Sequence, residues 1–83
     1  MAPGHKRLED ASEEDWRSLL GRKVSIRFRR NEPEHPFSEA IGVVMSVKPD
    51  ESGRPCVTIV NRRGALSEVP LADVMAGKAW VDQ

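Results

Sequence analysis

The chain has no tyrosine, one cysteine, no net charge and only four aromatic residues, Trp16, Phe28, Phe37 and Trp80. Each shortage removes a class of function. A lone Cys56 leaves no intramolecular disulfide and no spaced Cys/His set for tetrahedral zinc, so a reducing, cytoplasmic setting is expected. Thirteen basic and thirteen acidic side chains cancel. No global field then concentrates nucleic acid, anionic lipid or charged substrate, and electrostatic recognition has to be local. No apolar run approaches the ~20 residues of a membrane helix. Residues 1–8 are basic without a hydrophobic stretch to follow, so neither an anchor nor a signal peptide is expected. A chain of 83 residues is one domain, which buries only roughly 60–65% of its unfolded surface, too little for a deep cleft between lobes.

What the chain does have is short apolar runs punctuated by turn residues. Residues 40–47 end at Pro49-Asp50-Glu51-Ser52-Gly53, residues 56–60 end at Asn61-Arg62-Arg63-Gly64, and residues 66–69 run into Pro70. Over residues 23–30, Val24, Ile26 and Phe28 alternate with Ser25, Arg27 and Arg29, one face apolar and the other wet. Pro33 and Pro36 break that strand and open a long loop over residues 31–37. In the next strand, period-two counting puts Ile41, Val43, Met45 and Val47 on one face and Ala40, Gly42, Val44 and Ser46 on the other, with Gly42 permitting a sharp bend. Residues 70–74 read as a single 3₁₀ or α turn before a last strand over residues 76–81.

Ahead of the strands, Ser12-Glu13-Glu14-Asp15 reads as a capped helix start, its acids suited to the positive end of the helix dipole. Trp16, Leu19 and Leu20 then form an apolar stripe, and Gly21 ends the helix. The fold class expected is all-β: a small SH3-like five-stranded barrel with a short N-terminal helix over residues 12–20, residues 1–11 forming a disordered leader and residues 12–83 the barrel domain. The expected core is Trp16, Leu20, Val24, Ile26, Phe28, Ile41, Val43, Met45, Val57, Ile59, Val69, Leu71 and Val74.

Three stretches carry a family likeness: Leu20-Gly21-Arg22-Lys23-Val24-Ser25-Ile26-Arg27-Phe28-Arg29, Ala40-Ile41-Gly42-Val43-Val44, and Asn61-Arg62-Arg63-Gly64 followed by residues 69–78. Together they resemble the SH3-like module that precedes the catalytic domain in a group of actinobacterial GNAT-type acetyltransferases, over residues 16–81. The loop over residues 30–37 is longer and richer in proline than in that family. The resemblance implies an accessory role beside an acetyltransferase. Acetyl-CoA chemistry is not expected of these residues, because in that family the cofactor loop belongs to the catalytic domain. The layout is also similar to the C-terminal domain of the RimP family of ribosome maturation factors.

The chemistry-bearing residues are few. Arg27, Arg29, Arg30, Arg62 and Arg63 could pair with phosphate by bidentate donation. The plainer reading is a solvated face balanced by Glu32, Glu34, Glu39 and Glu68, favoured by zero net charge and by the lack of aromatics between the basic residues. Polyproline binding is not expected without the tyrosines of an aromatic groove. Trp80 reads as a core lid closing the barrel against the helix, because a small domain uses every large apolar side chain it has, with a surface anchor for a partner as the alternative. His35, between Glu34 and Pro36, has no second ligand in sequence, and Cys56 has no neighbour to lower its pKa. No catalytic residue, cofactor or metal is expected. The reading is a non-catalytic protein-interaction or accessory module with another protein as partner. An RNA- or ribosome-associated barrel using local arginines is the alternative. The partner-binding candidates are Arg29, Arg30, Phe37, Arg62 and Arg63, where the loop over residues 31–37 is expected to approach the hairpin at residues 61–64.

Overall fold

Alternating apolar and polar residues commit most of this chain to antiparallel pairing. The computed structural model describes residues 4–8 and 10–81. Along the chain run β1 (Gly4–Arg7), α1 (Glu13–Arg17), β2 (Lys23–Arg29), β3 (Phe37–Pro49), β4 (Pro55–Val60), β5 (Leu66–Pro70), a 3₁₀ turn (Leu71–Asp73) and β6 (Val74–Val81). The strands form one sheet in the order β1-β6-β2-β3-β4-β5, with every neighbouring pair antiparallel. The mostly-β architecture with one short helix is as expected, and the expected 3₁₀ turn sits between β5 and β6. Among the described residues the sheet has six strands where five were expected, and its edges β1 and β5 do not pair to close it.

The expected disordered leader over residues 1–11 is corrected in part. Gly4–Arg7 pairs with β6 from Gly4 opposite Val81 to Arg7 opposite Lys78. The Leu8 amide donates to the Gly77 carbonyl at 3.0 Å, and the Leu8 side chain is 1% exposed. An edge strand needs only its backbone donors and acceptors to be met, so the polar residues before Leu8 show no apolar alternation to announce it. Residues 1–3 and 9 lie outside the described residues.

The capping box forms as the sequence predicts: Asp15 donates its amide to Ser12 Oγ at 3.1 Å, and Ser12 donates its amide to Asp15 Oδ2 at 3.0 Å. The helix is shorter than the expected span over residues 12–20. After Arg17 the chain tightens into i→i+3 bonds, Leu19 donating to the Trp16 carbonyl and Leu20 to that of Arg17. At that tighter pitch Trp16 and Leu19 stack into the core, while Leu20 is carried out to solvent. Gly21 takes φ +82 and ties the segment to the sheet, its amide donating to the Val44 carbonyl at 2.8 Å.

Strand β3 positions everything that follows. It pairs with β2 over residues 37–43 and with β4 over residues 43–49, so one long strand serves both halves of the sheet. The change of partner falls at Val43, beside Gly42, whose α-hydrogen side faces the Val60 backbone. A Cβ there would overlap the Val60 carbonyl oxygen and lie 2.7 Å from the Val60 carbonyl carbon. Three residues on, the register with β4 shifts between Val44 and Ser46, leaving Met45 as the extra residue of a bulge.

That bulge overturns part of the expected core. Strict alternation cannot survive an inserted residue, so Val47 falls on the same face as Ala40, Gly42 and Val44, all four buried. Ile41, Val43 and Met45, expected inside, are exposed, as is Leu20. The observed core gathers Leu8, Trp16, Leu19, Val24, Ile26, Ala40, Val44, Val47, Val57, Ile59, Val69 and Ala79, with Phe28, Leu71 and Val74 packed against it. At Gly42 the inside of the bend is already filled by the backbone of Val60 and Asn61.

Candidate functional site

The bend and the bulge turn an apolar row outward. Lys23 lies opposite Val43, Val43 opposite Val60 and Val60 opposite Leu66, so one cross-strand row runs over β2, β3, β4 and β5. Directly paired residues share a face. Ile41, two positions along β3, joins them, and Met45 stands beside them on the bulge. Ile41 is 52% exposed, Met45 55% and Leu66 58%. Single exposed aliphatics are ordinary, but a contiguous set on neighbouring strands is the pattern of an interaction surface.

The turn joining β4 to β5 walls this row on one side. Asn61 Oδ1 accepts from the amides of Arg63 at 2.9 Å and Ala65 at 3.0 Å, and the Gly64 amide donates to the Asn61 carbonyl at 3.0 Å. An asparagine side chain that bonds the backbone two and four residues on holds its turn in one shape. Arg62 and Arg63 are thereby set on the rim of a groove of about 710 Å³ whose floor is Ile41, Val43 and Val60, with Lys23 on the opposite wall. Among the described residues, ion pairs join Arg17 to Glu13, Arg30 to Glu32 and Arg54 to Asp50. Lys23, Arg62 and Arg63 enter none of them.

Lys23 also links this groove to Trp80. The Lys23 and Lys78 ammonium nitrogens each stand 5.3 Å from the centroid of the Trp80 ring, within cation–π range. Its neighbour Ala79 points into the core, so Trp80 belongs to the opposite, outer face and is half-buried there under the two lysine stems. Half-buried on the outer face and outside the core cluster, it is not the core lid that was expected.

The five candidate residues divide into two groups. Arg29 and Phe37 are cross-strand partners at the far end of the β2–β3 hairpin, and Phe37 shares a shallow depression with Arg27 and Glu39. Arg30 closes the same loop, its amide donating to the Pro36 carbonyl at 2.7 Å and its guanidinium to Glu32 at 2.7 Å. Arg62 and Arg63 lie instead beside Ile41 and Val43, four or more residues further along β3 than Phe37, which is about 13 Å or more of strand. The loop over residues 31–37 and the hairpin at residues 61–64 therefore line different depressions. Lys23, Ile41, Val43, Val60 and Leu66 were not among the candidates. The signal that could have found part of them is the turn at residues 61–64, which with Ala65 brings Val60 opposite Leu66; Lys23, Ile41 and Val43 join through the register of β3, which has no local mark.

Elsewhere, Asp50 organises the β3–β4 turn. Its Oδ1 accepts from the Ser52 hydroxyl at 2.7 Å and from the amides of Ser52 at 2.9 Å and Arg54 at 3.0 Å. These bonds favour the carboxylate and lower its pKa from 3.8 to about 2. Cys56 is buried beside it, Sγ donating to Asp50 Oδ2 at 3.8 Å. Burial, with the Asp50 charge adding to it, pushes the thiol above its ordinary range, the opposite of what activates a nucleophile. His35 stands exposed in the β2–β3 loop.

No protein-family model, curated protein or solved structure matches the chain.

Proposed function

We propose that the chain is a non-catalytic SH3-like module that binds another protein through the outer face of β3, β4 and β5. The observation that carries this reading is the outward-facing cross-strand row in which half-buried Val60 lies between exposed Val43 and exposed Leu66, with exposed Ile41 and Met45 beside it. The strand order β6-β2-β3-β4-β5, a long loop between β2 and β3, a 3₁₀ turn before β6 and a bent β3 serving both halves are consistent with an SH3-like barrel to which β1 adds an edge. The aliphatic character of the row favours a protein over nucleic acid, since Ile41, Val43, Met45 and Leu66 offer a base neither a stacking face nor a hydrogen bond. The accessory role beside an acetyltransferase rests on the sequence resemblance.

The test is co-purification from native extract with nuclease treatment, comparing wild type with an Ile41→Ser, Leu66→Ser double variant. Both positions are solvent-facing, so thermal stability should be unchanged. Wild type should retain a specific protein after nuclease and the variant should lose it. Equal retention by the variant, or a complex that nuclease dissolves, refutes the reading.

A further inference from the structure

Resting on that reading, we infer that the groove between Lys23 and the turn carrying Arg62 and Arg63 takes an acidic segment of the partner with an aliphatic side chain between its carboxylates. The floor is apolar, formed by Ile41, Val43 and Val60. The walls are cationic on both sides, and none of the three cations is neutralised by an ion pair among the described residues. Lys23 stands two strands away from Val60 across the sheet, about 10 Å at the usual inter-strand spacing, and the turn that carries the arginines begins at the residue after Val60. That width admits a single chain. A carboxylate on each side then meets a guanidinium or ammonium while one leucine-sized side chain covers the floor.

The arginines are well suited to this. Their turn is fixed by Asn61 and the Gly64 amide, so the guanidiniums project from a rigid base, and arginine pairs with a carboxylate through two parallel bonds. Lys23 is held differently, its ammonium near the Trp80 ring, and a compact charge on a partly ordered stem loses less freedom on pairing. Charge is also distributed so as to fix direction. Asp50, Glu51 and Glu68 line a separate depression near the other end of the β3–β4–β5 face, which repels an acidic chain from that end and leaves the Arg62–Arg63 end attractive.

Three short synthetic peptides test this by backbone-amide NMR titration of the full chain: one with leucine flanked by aspartate and glutamate, one with the same leucine flanked by lysine, and one acidic without leucine. The acidic leucine peptide should shift the amides of Lys23, Ile41, Val43, Val60, Arg62 and Arg63 and bind about tenfold or more tighter than either control. Arg62→Glu with Arg63→Glu should weaken it by about tenfold or more while melting stays at the wild-type temperature. Equal binding of the lysine peptide at the same amides overturns the acidic chemistry and leaves the interaction face intact. Shifts confined to other residues, or no shifts at millimolar peptide, overturn the groove itself. A single-stranded RNA oligonucleotide that binds these amides more tightly than the acidic peptide overturns it in favour of nucleic acid. Concentration-dependent shifts of the same amides without peptide overturn it in favour of a second copy of this chain.

Discussion

Replacing Gly42 with alanine tests the bend that shapes the groove. The new Cβ would overlap the Val60 carbonyl oxygen and sit 2.7 Å from the Val60 carbonyl carbon and 3.1 Å from Asn61 Cα. All three are backbone atoms, so no side chain can swing aside, and the end of β4 must retreat by roughly 1 Å to reach normal contact. Overpacking of this kind costs about 1–3 kcal/mol. The retreat also strains the pairing of Val43 with Val60, and each backbone bond lost there costs about 0.5–1.5 kcal/mol net. A total near 3 kcal/mol is a large part of the 5–15 kcal/mol that holds a typical domain together, and it lowers Tm by about 12–24 °C for a chain of this size. The sign is informative. Gly42 is not among the glycines with positive φ, so without the overlap alanine would stabilise the chain by about 0.4–1 kcal/mol through the unfolded state. Gly53→Ala is the control. Gly53 has φ +88 and open space around it, so alanine there pays only backbone strain of about 1–2 kcal/mol. Thermal unfolding followed by circular dichroism ranks the three proteins. A Gly42→Ala protein that melts at or above wild type refutes the close approach of β4 to β3, and with it the groove.

Leu8→Ala should destabilise by about 2–5 kcal/mol in urea unfolding, since the side chain is 1% exposed in the core; an unchanged midpoint would restore the disordered leader. Val44→Ala should cost about 1.5–3 kcal/mol and Ile41→Ser no more than about 0.5 kcal/mol, and the reverse order in the same assay would restore the uninterrupted period of two along β3. Asp50 has a carboxyl pKa lowered from 3.8 to about 2, so its contribution to stability is complete above 3.8 and is lost as pH falls through about 2. Asp50→Asn should therefore be less stable than wild type at neutral pH and lose less on acidification through that window, and parallel acid-unfolding curves for the two proteins would refute it.

How far the fold was legible follows from which physical signals are local. The capping box of Ser12 and Asp15, the turn at residues 61–64 and the alternation of Val24, Ile26 and Phe28 are written in adjacent residues, and each appears where expected. Strand β1 has no such mark, because pairing at an edge satisfies backbone groups that every residue carries. The core was legible where a strand stays regular. In β4 and β5, Val57, Ile59 and Val69 are buried as expected, although Cys56 and Thr58 on the other face of β4 are buried as well. In β3 bulk was a misleading guide: Ile41 and Met45 are larger than Ala40 and Gly42, yet the buried face is the one carrying Gly42, where the Val60 backbone leaves no room for a side chain.

The candidate site was half legible for the same reason. Arg62 and Arg63 could be placed at a hairpin tip from Asn61 and Gly64 alone, and exposure of a basic tip is a local property. What faces them is not local. It depends on which backbone fills the hollow at Gly42, and a glycine in a strand announces that something approaches closely without saying what. Once Val60 is the answer, β4 is drawn across β3 at residue 43, the tip following it is drawn toward Ile41 and Lys23, and Phe37 is left at the far end of the same strand. The outward turn of Ile41 and Val43 is then the other side of the same bend: the Val60 backbone occupies the inside at Gly42, and the residues on either side of that glycine face outward as the floor beside the arginines.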